Sequence, residues 1–200
     1  MKGLILFILM YWIYPSGDKI SYIGEYKILP QSKVYLAGTS NVNKFSCDCV
    51  HDFENQVFKA DAISDGEMDF INTQMQLAVE YIDCKNRKMD KDLQKALKSD
   101  LYPNVKIELS NIKIRNTITP ISWNRIQATV FITLAGEKRK YEVDVKAKHA
   151  EGKILLTGSK TLRMTEFKIV PPQVLFGMIK VNDEITFHFD LHVELSSKSI

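Results

Sequence analysis

Residues 185–195 read ITFHFDLHVEL. The odd positions (Ile185, Phe187, Phe189, Leu191, Val193, Leu195) are apolar, and the even ones (Thr186, His188, Asp190, His192, Glu194) are polar or ionisable. Successive side chains of a strand point to opposite faces, so this is a strand with one oily and one wet face. The same period recurs along the chain in TQMQLAVEYID, NVKIELSNIKI, RIQATVFITL, RKYEVDVKAK and KILLTGSKTL. In the first of these, Met75, Leu77, Val79 and Tyr81 alternate inward. Repeated alternation separated by turn residues fixes an antiparallel all-β chain whose oily face must be buried by sandwiching or by closure.

The turns support hairpins. Ala135-Gly136-Glu137 and Glu151-Gly152 sit between alternating runs, and Asp65-Gly66 marks another turn. In NVKIELSNIKI the apolar parity changes between Leu109 and Ile112, and in LRMTEFKIV between Met164 and Phe167. One extra residue in a strand has that effect, so bulges are expected near Asn111 and Glu166. A single segment, KMDKDLQKALKSDLYP, has helical spacing. Met89, Leu93 and Leu97 recur every fourth residue, Asp90 and Asp92 lie early, Lys95 and Lys98 late, and Pro103 is the expected stop. VPPQVLFG is expected to form a second, single turn ended by Gly177. One helix among eight to ten strands excludes alternating βα units.

The first residues, MKGLILFILMYWIYPSGD, place one Lys before an apolar run from Leu4 to Tyr14 and then Pro-Ser-Gly. That is the layout of a secretory signal, here residues 1–17, and the run is about half the ~20 residues a spanning helix needs. Residues 18–200 then form one domain that is not an integral membrane protein, in a periplasmic or secreted setting. The three cysteines, Cys47, Cys49 and Cys84, fit an oxidising compartment. Cys47 and Cys49 share a strand face and cannot easily bond each other. Cys84 with one of them, or three unpaired thiols, are the alternatives. The net charge of +3 gives no pull towards nucleic acid.

The inward parity carries no charge in the best strands. It supplies the candidate ligand-lining residues: Phe45, Met75, Leu77, Val79, Ile107, Leu109, Val130, Ile132, Met164, Phe167, Phe187, Phe189 and Leu191, with Ile126 and Leu156 beside them. A polar substrate would find no partner there. A hydrocarbon chain would, at roughly 0.8 kcal/mol for each buried methylene. A core packed solid by the same side chains is the competing outcome. The His188, Asp190 and His192 row does not make a metal site, because residues four apart on a strand lie ~13 Å from each other. A third ligand from His149 or His51 gives no convincing set. No Gly-x-Ser-x-Gly, phosphate-cradling Gly-rich loop or His-Glu-x-x-His occurs, so no catalytic residue and no cofactor is assigned. Asn43 is a candidate head-group contact at a mouth.

Three segments carry a family resemblance: YKILPQSKVYLAGTSNVNKFSC, DCKNRKMDKDLQKALKSDLYPNVKIEL, and LLTGSKTLRMTEFKIVPPQVLFGMIKVNDEITFHFDL. In order and spacing they resemble the YceI-like family over about residues 25–195. The resemblance implies an eight-stranded, antiparallel, lipocalin-like barrel with a helix packed over it. It also implies an enclosed polyisoprenoid or similar lipid, and binding rather than catalysis. The Cys-x-Cys pair departs from the family pattern. The rival function is an envelope stress, structural or interaction protein with a filled barrel.

Overall fold

The computed structural model describes residues 21–49, 53, 55–64, 66–114, 122–174 and 176–199. The expected signal segment, His51 and Asp65 lie outside them. Among the described residues twelve strands and one α-helix follow in the order β1 (Ser21–Ile28), β2 (Lys33–Ser40), β3 (Lys44–Cys49), β4 (Gln56–Ser64), β5 (Glu67–Ala78), β6 (Ile82–Asp83), α1 (Arg87–Ala96), β7 (Asn104–Ile114), β8 (Asn124–Leu134), β9 (Glu137–Ala150), β10 (Lys153–Arg163), β11 (Gln173–Val174) and β12 (Ile179–Ser199). Short 3-10 turns occupy Val79–Tyr81 and Met164–Phe167.

The sheet closes as an eight-strand antiparallel ring, β1-β4-β5-β7-β8-β9-β10-β12 and back to β1. Closure removes the exposed edges that a one-sided sheet would leave. Strand β12 is long enough to serve two neighbours on one side. Its first half pairs with β2 (Phe187 opposite Leu36) and its second half with β1 (Leu195 opposite Tyr26). Beyond β2 the sheet continues through β3 to the two-residue β6, which follows β5 through the Val79–Tyr81 turn.

Both expected hairpins are two-residue turns with positive φ at each residue, Ala135 and Gly136 (49° and 84°) and Glu151 and Gly152 (53° and 74°). This geometry matches the right-handed twist of the flanking strands. The bulge expected near Asn111 is present, as the β7–β8 register slips between Leu109 and Asn111. The one expected near Glu166 is instead the 3-10 turn Met164–Phe167, where the chain leaves β10 and reverses at Lys168, whose φ is 54°. A short 3-10 turn breaks the alternation as a bulge does, so the pattern did not distinguish them.

Four further expectations are corrected. β5 ends at Ala78, so Val79 is reached by a turn rather than by strand alternation, and Tyr81 points outward and is exposed. Leu195 is also exposed, near the end of β12. Helix α1 ends at Ala96, with Leu97 as its cap and Lys98 in the left-handed region, six residues short of the expected stop. Pro103 instead accepts a hydrogen bond from the Val79 N–H at the start of β7. Finally, Pro171 and Pro172 lead into a β11–β12 hairpin, with no helical turn among the described residues; Leu175 of the expected turn lies outside them. The residue before each proline is driven to extended backbone, which opposes a helical start there.

Helix α1 is capped by Asn86, whose side chain accepts from the N–H groups of Lys88 and Met89. Asp90 accepts from the N–H of Cys84 at 2.8 Å, which ties the helix to β6. The stripe Met89, Leu93, Ala96 and Leu97 packs against the main core.

Candidate ligand cavity

The barrel interior has two ends with different contents. At the end where β1 meets β4 and the last third of β12, side chains fill the space. Tyr26, Ile28, Phe58, Ala60 and Val193 are buried, with Met68, Phe70, Met75, Leu156 and Leu191 packed around them. The Tyr26 hydroxyl donates to the Gln74 carbonyl at 2.5 Å and accepts from the Gln74 N–H, so this polar atom is satisfied inside an apolar cluster. Burial pushes the Tyr26 pKa up. The Phe189 ring lies over Gly158, its partner across β10 and β12; a Cβ on Gly158 would stand 2.6 Å from the ring.

At the other end lies a cavity of about 360 Å³. Its wall is apolar: Leu36, Phe45, Leu77, Val105, Ile107, Ile132, Leu134, Leu162, Met164, Phe167, Ile185 and Phe187, with α1 contributing Met89, Leu93 and Leu97. The wall residues that are also exposed mark the opening. They are Val42 and Asn43 on the β2–β3 turn, Asn86 and Lys88 at the start of α1, and Arg163 at the end of β10, with half-buried Ser40, Asp92, Pro172 and Ile179 beside them. The interior is therefore hydrocarbon, and the polar side chains of the site are gathered at the rim.

Of the thirteen expected lining residues, Phe45, Leu77, Ile107, Ile132, Met164, Phe167 and Phe187 border the cavity. The other six do not. Val79 and Val130 are buried in the main core, and Met75, Leu109, Phe189 and Leu191 pack against the core from the filled part of the barrel. Five of these six have the inward strand parity expected of them and Val79 is buried by way of its turn, but parity gives no position along the barrel axis. The helix stripe was legible as an apolar face, and its role as a cavity wall was missed. So were the rim residues other than Asn43, and Val181, which precedes the alternating stretch, while Ile185, the first residue of that stretch, was read as apolar but not as cavity-lining.

Cys47 and Cys84 form a disulfide, joining β3 to β6 where Asp48 already pairs with Asp83. The bond borders the cavity. Cys49 is the free thiol; it also borders the cavity, and its pKa is pushed up to about 12, by burial first and by the neighbouring Asp48 charge second. A thiol held neutral is a poor nucleophile. On the outer face His188 stacks on Tyr35 at 4.5 Å between ring centroids, and Asp190 is exposed. Among the described residues no group of three His, Cys, Asp or Glu side chains could hold a metal ion.

The sequence model of the YceI-like domain matches residues 31–193. The chain belongs to the YceI-like family. The YceI-like barrel also aligns with solved structures at a level that shows the fold. One is a polyisoprenoid binding domain from Saccharophagus degradans implicated in plant cell wall breakdown, with a TM-score of 0.61, 7% identity, and 86% of this chain and 98% of that one covered. Another is BcnA from Burkholderia cenocepacia, with a TM-score of 0.57, 14% identity, and 80% and 95% covered. Comparison with curated proteins gave no match. The lipocalin-like barrel expected from the sequence is thus the fold of this YceI-like protein.

Asn43, the candidate head-group contact, stands at the rim, where its Oδ1 accepts a hydrogen bond from Ser40 at 2.8 Å. Neighbouring Asn41 is fully engaged. Its Nδ2 donates to the Met178 carbonyl and its Oδ1 accepts from the Lys180 N–H, which ties the β2–β3 turn to the β11–β12 hairpin.

Proposed function

We propose that this protein is an exported carrier that holds one elongated apolar lipid, of polyisoprenoid or similar character, with its tail in the cavity and its polar end at the rim. The observation that carries this reading is the 360 Å³ hydrocarbon-lined space with its polar side chains gathered at the rim. An engineered apolar cavity of about 150 Å³ takes up benzene, so by proportion this one has room for on the order of fifteen carbons. At roughly 0.8 kcal/mol per methylene, tail burial alone supplies enough free energy for tight binding. Ligand sites of about 300–1,000 Å³ that are mostly apolar with a few polar groups are typical of small-molecule binding. A longer lipid would leave part of its length at the mouth. The polyisoprenoid binding named for the Saccharophagus degradans domain supports the ligand class. Export is supported by the Leu4–Tyr14 apolar run and by the Cys47–Cys84 disulfide, a bond that persists in oxidising compartments. Among the described residues no helix is long and apolar enough to cross a membrane.

The test is native mass spectrometry of the purified protein, followed by organic extraction and identification of what is released. A stoichiometric apolar lipid is the expected result. A protein that carries none, and that after denaturing extraction and refolding takes up no fluorescent long-chain lipid, would overturn the reading in favour of a ligand-free structural barrel.

A further inference from the structure

Three exposed apolar side chains stand on the two loops beside the opening, Val42 as part of its lining. Phe176 and Met178 stand at the tip of the β11–β12 hairpin with relative exposures of 108% and 68%, and Val42 on the β2–β3 turn with 62%. The Asn41 side chain and the Asn41 N–H to Lys180 carbonyl bond hold the two loops together, so these side chains form one patch. Phe176 also has a φ of 55°, a backbone region that bulky residues rarely occupy. Burial within the chain explains neither its exposure nor its conformation.

The charge around the patch is of one dominant sign. Lys44, Lys88 and Lys180 are exposed, and none takes part in an ion pair among the described residues. The nearby acids are engaged or recessed. Asp183 is bound to Thr165, Glu184 is paired with Arg163 at 3.7 Å, and Asp92 is half-buried in the cavity wall. Arg87 and Lys88 open the first turn of α1, which also holds Asp90, whose side chain is engaged by the Cys84 N–H.

We infer that the rim formed by Val42, Phe176 and Met178, with Lys44, Lys88 and Lys180 around it, docks this barrel mouth-first on an anionic lipid bilayer. Apolar tips enter the headgroup boundary while lysines engage the lipid charges, the pairing of forces that holds interfacial proteins. Aromatic side chains are favoured at that depth. Docking in this orientation sets the cavity mouth against the acyl region, so a lipid tail passes between bilayer and barrel without crossing water. The docking surface stands on the exposed patch; its purpose rests on the proposed carrier function.

The test uses protein purified as expressed, its N-terminus defined by intact mass, with vesicles of phosphatidylcholine alone or mixed with phosphatidylglycerol. In a Phe176→Trp variant, emission in excess of the parent's is expected to shift to the blue and to be quenched by acyl-chain bromine with the anionic vesicles, and the shift to weaken as salt rises. This signal reads the hairpin tip itself, whatever the 4–14 segment does. Vesicle flotation of a Phe176→Ser, Met178→Ser variant is expected to fall by at least about tenfold, its circular dichroism unchanged. An unshifted tryptophan, or flotation equal to the parent's, would overturn docking. Concentration-dependent dimerisation of the parent, abolished in the double variant and without vesicle binding, would overturn it in favour of a second copy as the occupant. Lipid content, read separately by extraction, keeps the two ideas apart: a lipid-loaded protein that ignores vesicles loses only the docking, and an empty one that docks loses only the carrier.

Discussion

If one end of the barrel is hollow and the other filled, enlarging a side chain must have opposite consequences at the two ends. Leu77, Ile107 and Ile132 lie on β5, β7 and β8 and border the cavity, with Ile107 directly opposite Ile132 in the register. Changing all three to Phe adds three carbons each, about nine in all, against a capacity on the order of fifteen. Phe introduces no polar atom, so no unsatisfied donor confuses the outcome. The lipid-free triple variant is expected to unfold within about 1 kcal/mol of the parent, because the new atoms enter empty space. Val130 pairs with Leu109 and Tyr141 in the filled stretch. A single Val130→Phe is expected to cost about 1–3 kcal/mol, the usual penalty of overpacking.

The ligand consequence follows from the same count. Nine excluded methylenes correspond to about 7 kcal/mol of lost burial. If half of the displaced chain finds cover at the mouth, about 3.5 kcal/mol remains, or roughly 300-fold in Kd. Urea unfolding of delipidated proteins gives the stabilities, and titration with a fluorescent long-chain lipid gives the affinities. Lipid affinity in the triple variant equal to the parent's would refute the cavity as the binding site. A destabilisation by the triple variant several times that of Val130→Phe would refute the hollow end.

Other expectations follow from individual residues. Opening the Cys47–Cys84 link by Cys84→Ala, in a Cys49→Ala background to prevent reshuffling, is expected to cost about 4 kcal/mol in the chain-entropy model for a separation of 37 residues; urea midpoints measure it. The Cys49 thiol, raised from 9.0 to about 12, keeps its proton in the folded state. Its stabilising contribution is whole below about pH 9 and is lost as pH climbs towards 12, because the unfolded chain ionises first. Cys49→Ala is therefore expected to flatten the fall of stability above pH 9, and the native thiol to react with iodoacetamide far more slowly than the urea-unfolded one. Gly158→Ala places a methyl 2.6 Å from the Phe189 ring and 2.9 Å from the Asp144 carbonyl, and is expected to lower stability by about 1–3 kcal/mol, partly recovered by Phe189→Leu.

Much of this architecture was legible because strand periodicity is a local signal. Alternation in residues 185–195 placed Phe187 and Phe189 inside and Asp190 outside, and two-residue turns at Ala135 and Glu151 fixed which runs are neighbours. The slip at Asn111 was visible as a parity change. What local pattern could not carry was depth along the barrel axis. Val130 and Ile132 have the same parity, lie two residues apart and are both buried, yet Ile132 borders the cavity and Val130 does not. Nor does parity survive a turn, which is why Val79 and Tyr81 parted company. The rim was hidden for another reason: Val42, Phe176 and Met178 belong to loops, where no period says which way a side chain faces.

The difference between the two ends has a cause in the wall itself. Between β12 and β7, the filled end is closed by β1, β4 and β5. The hollow end is closed by β2, β3, β6 and the last residues of β5, a longer perimeter. Barrel width grows with the number of strands in the circuit. On the opposite side the β9–β10 ladder holds only from Lys153 to Gly158, and beyond it β10 pairs with β12 alone. Into that splay fits the Met164–Phe167 turn. Phe167 and Ile169 are almost wholly buried, the Phe167 ring stacks on Tyr141 at 6.1 Å, and the Glu166 carbonyl accepts from Arg139. The Tyr141 hydroxyl donates to the Glu166 carboxylate, and burial followed by that bond drives its pKa up. The cavity is therefore the consequence of a wall widened on two sides and sealed by a helix and a turn rather than by hydrogen-bonded strands. Such seals depend on side-chain packing, whereas a closed ladder also has its backbone bonds. Local opening should accordingly concentrate at α1 and at Met164–Phe167, the elements through which a bound chain would have to be threaded. Hydrogen exchange faster there than in β7, β8 and β12 is the expected signature, and uniform protection around the ring would contradict it.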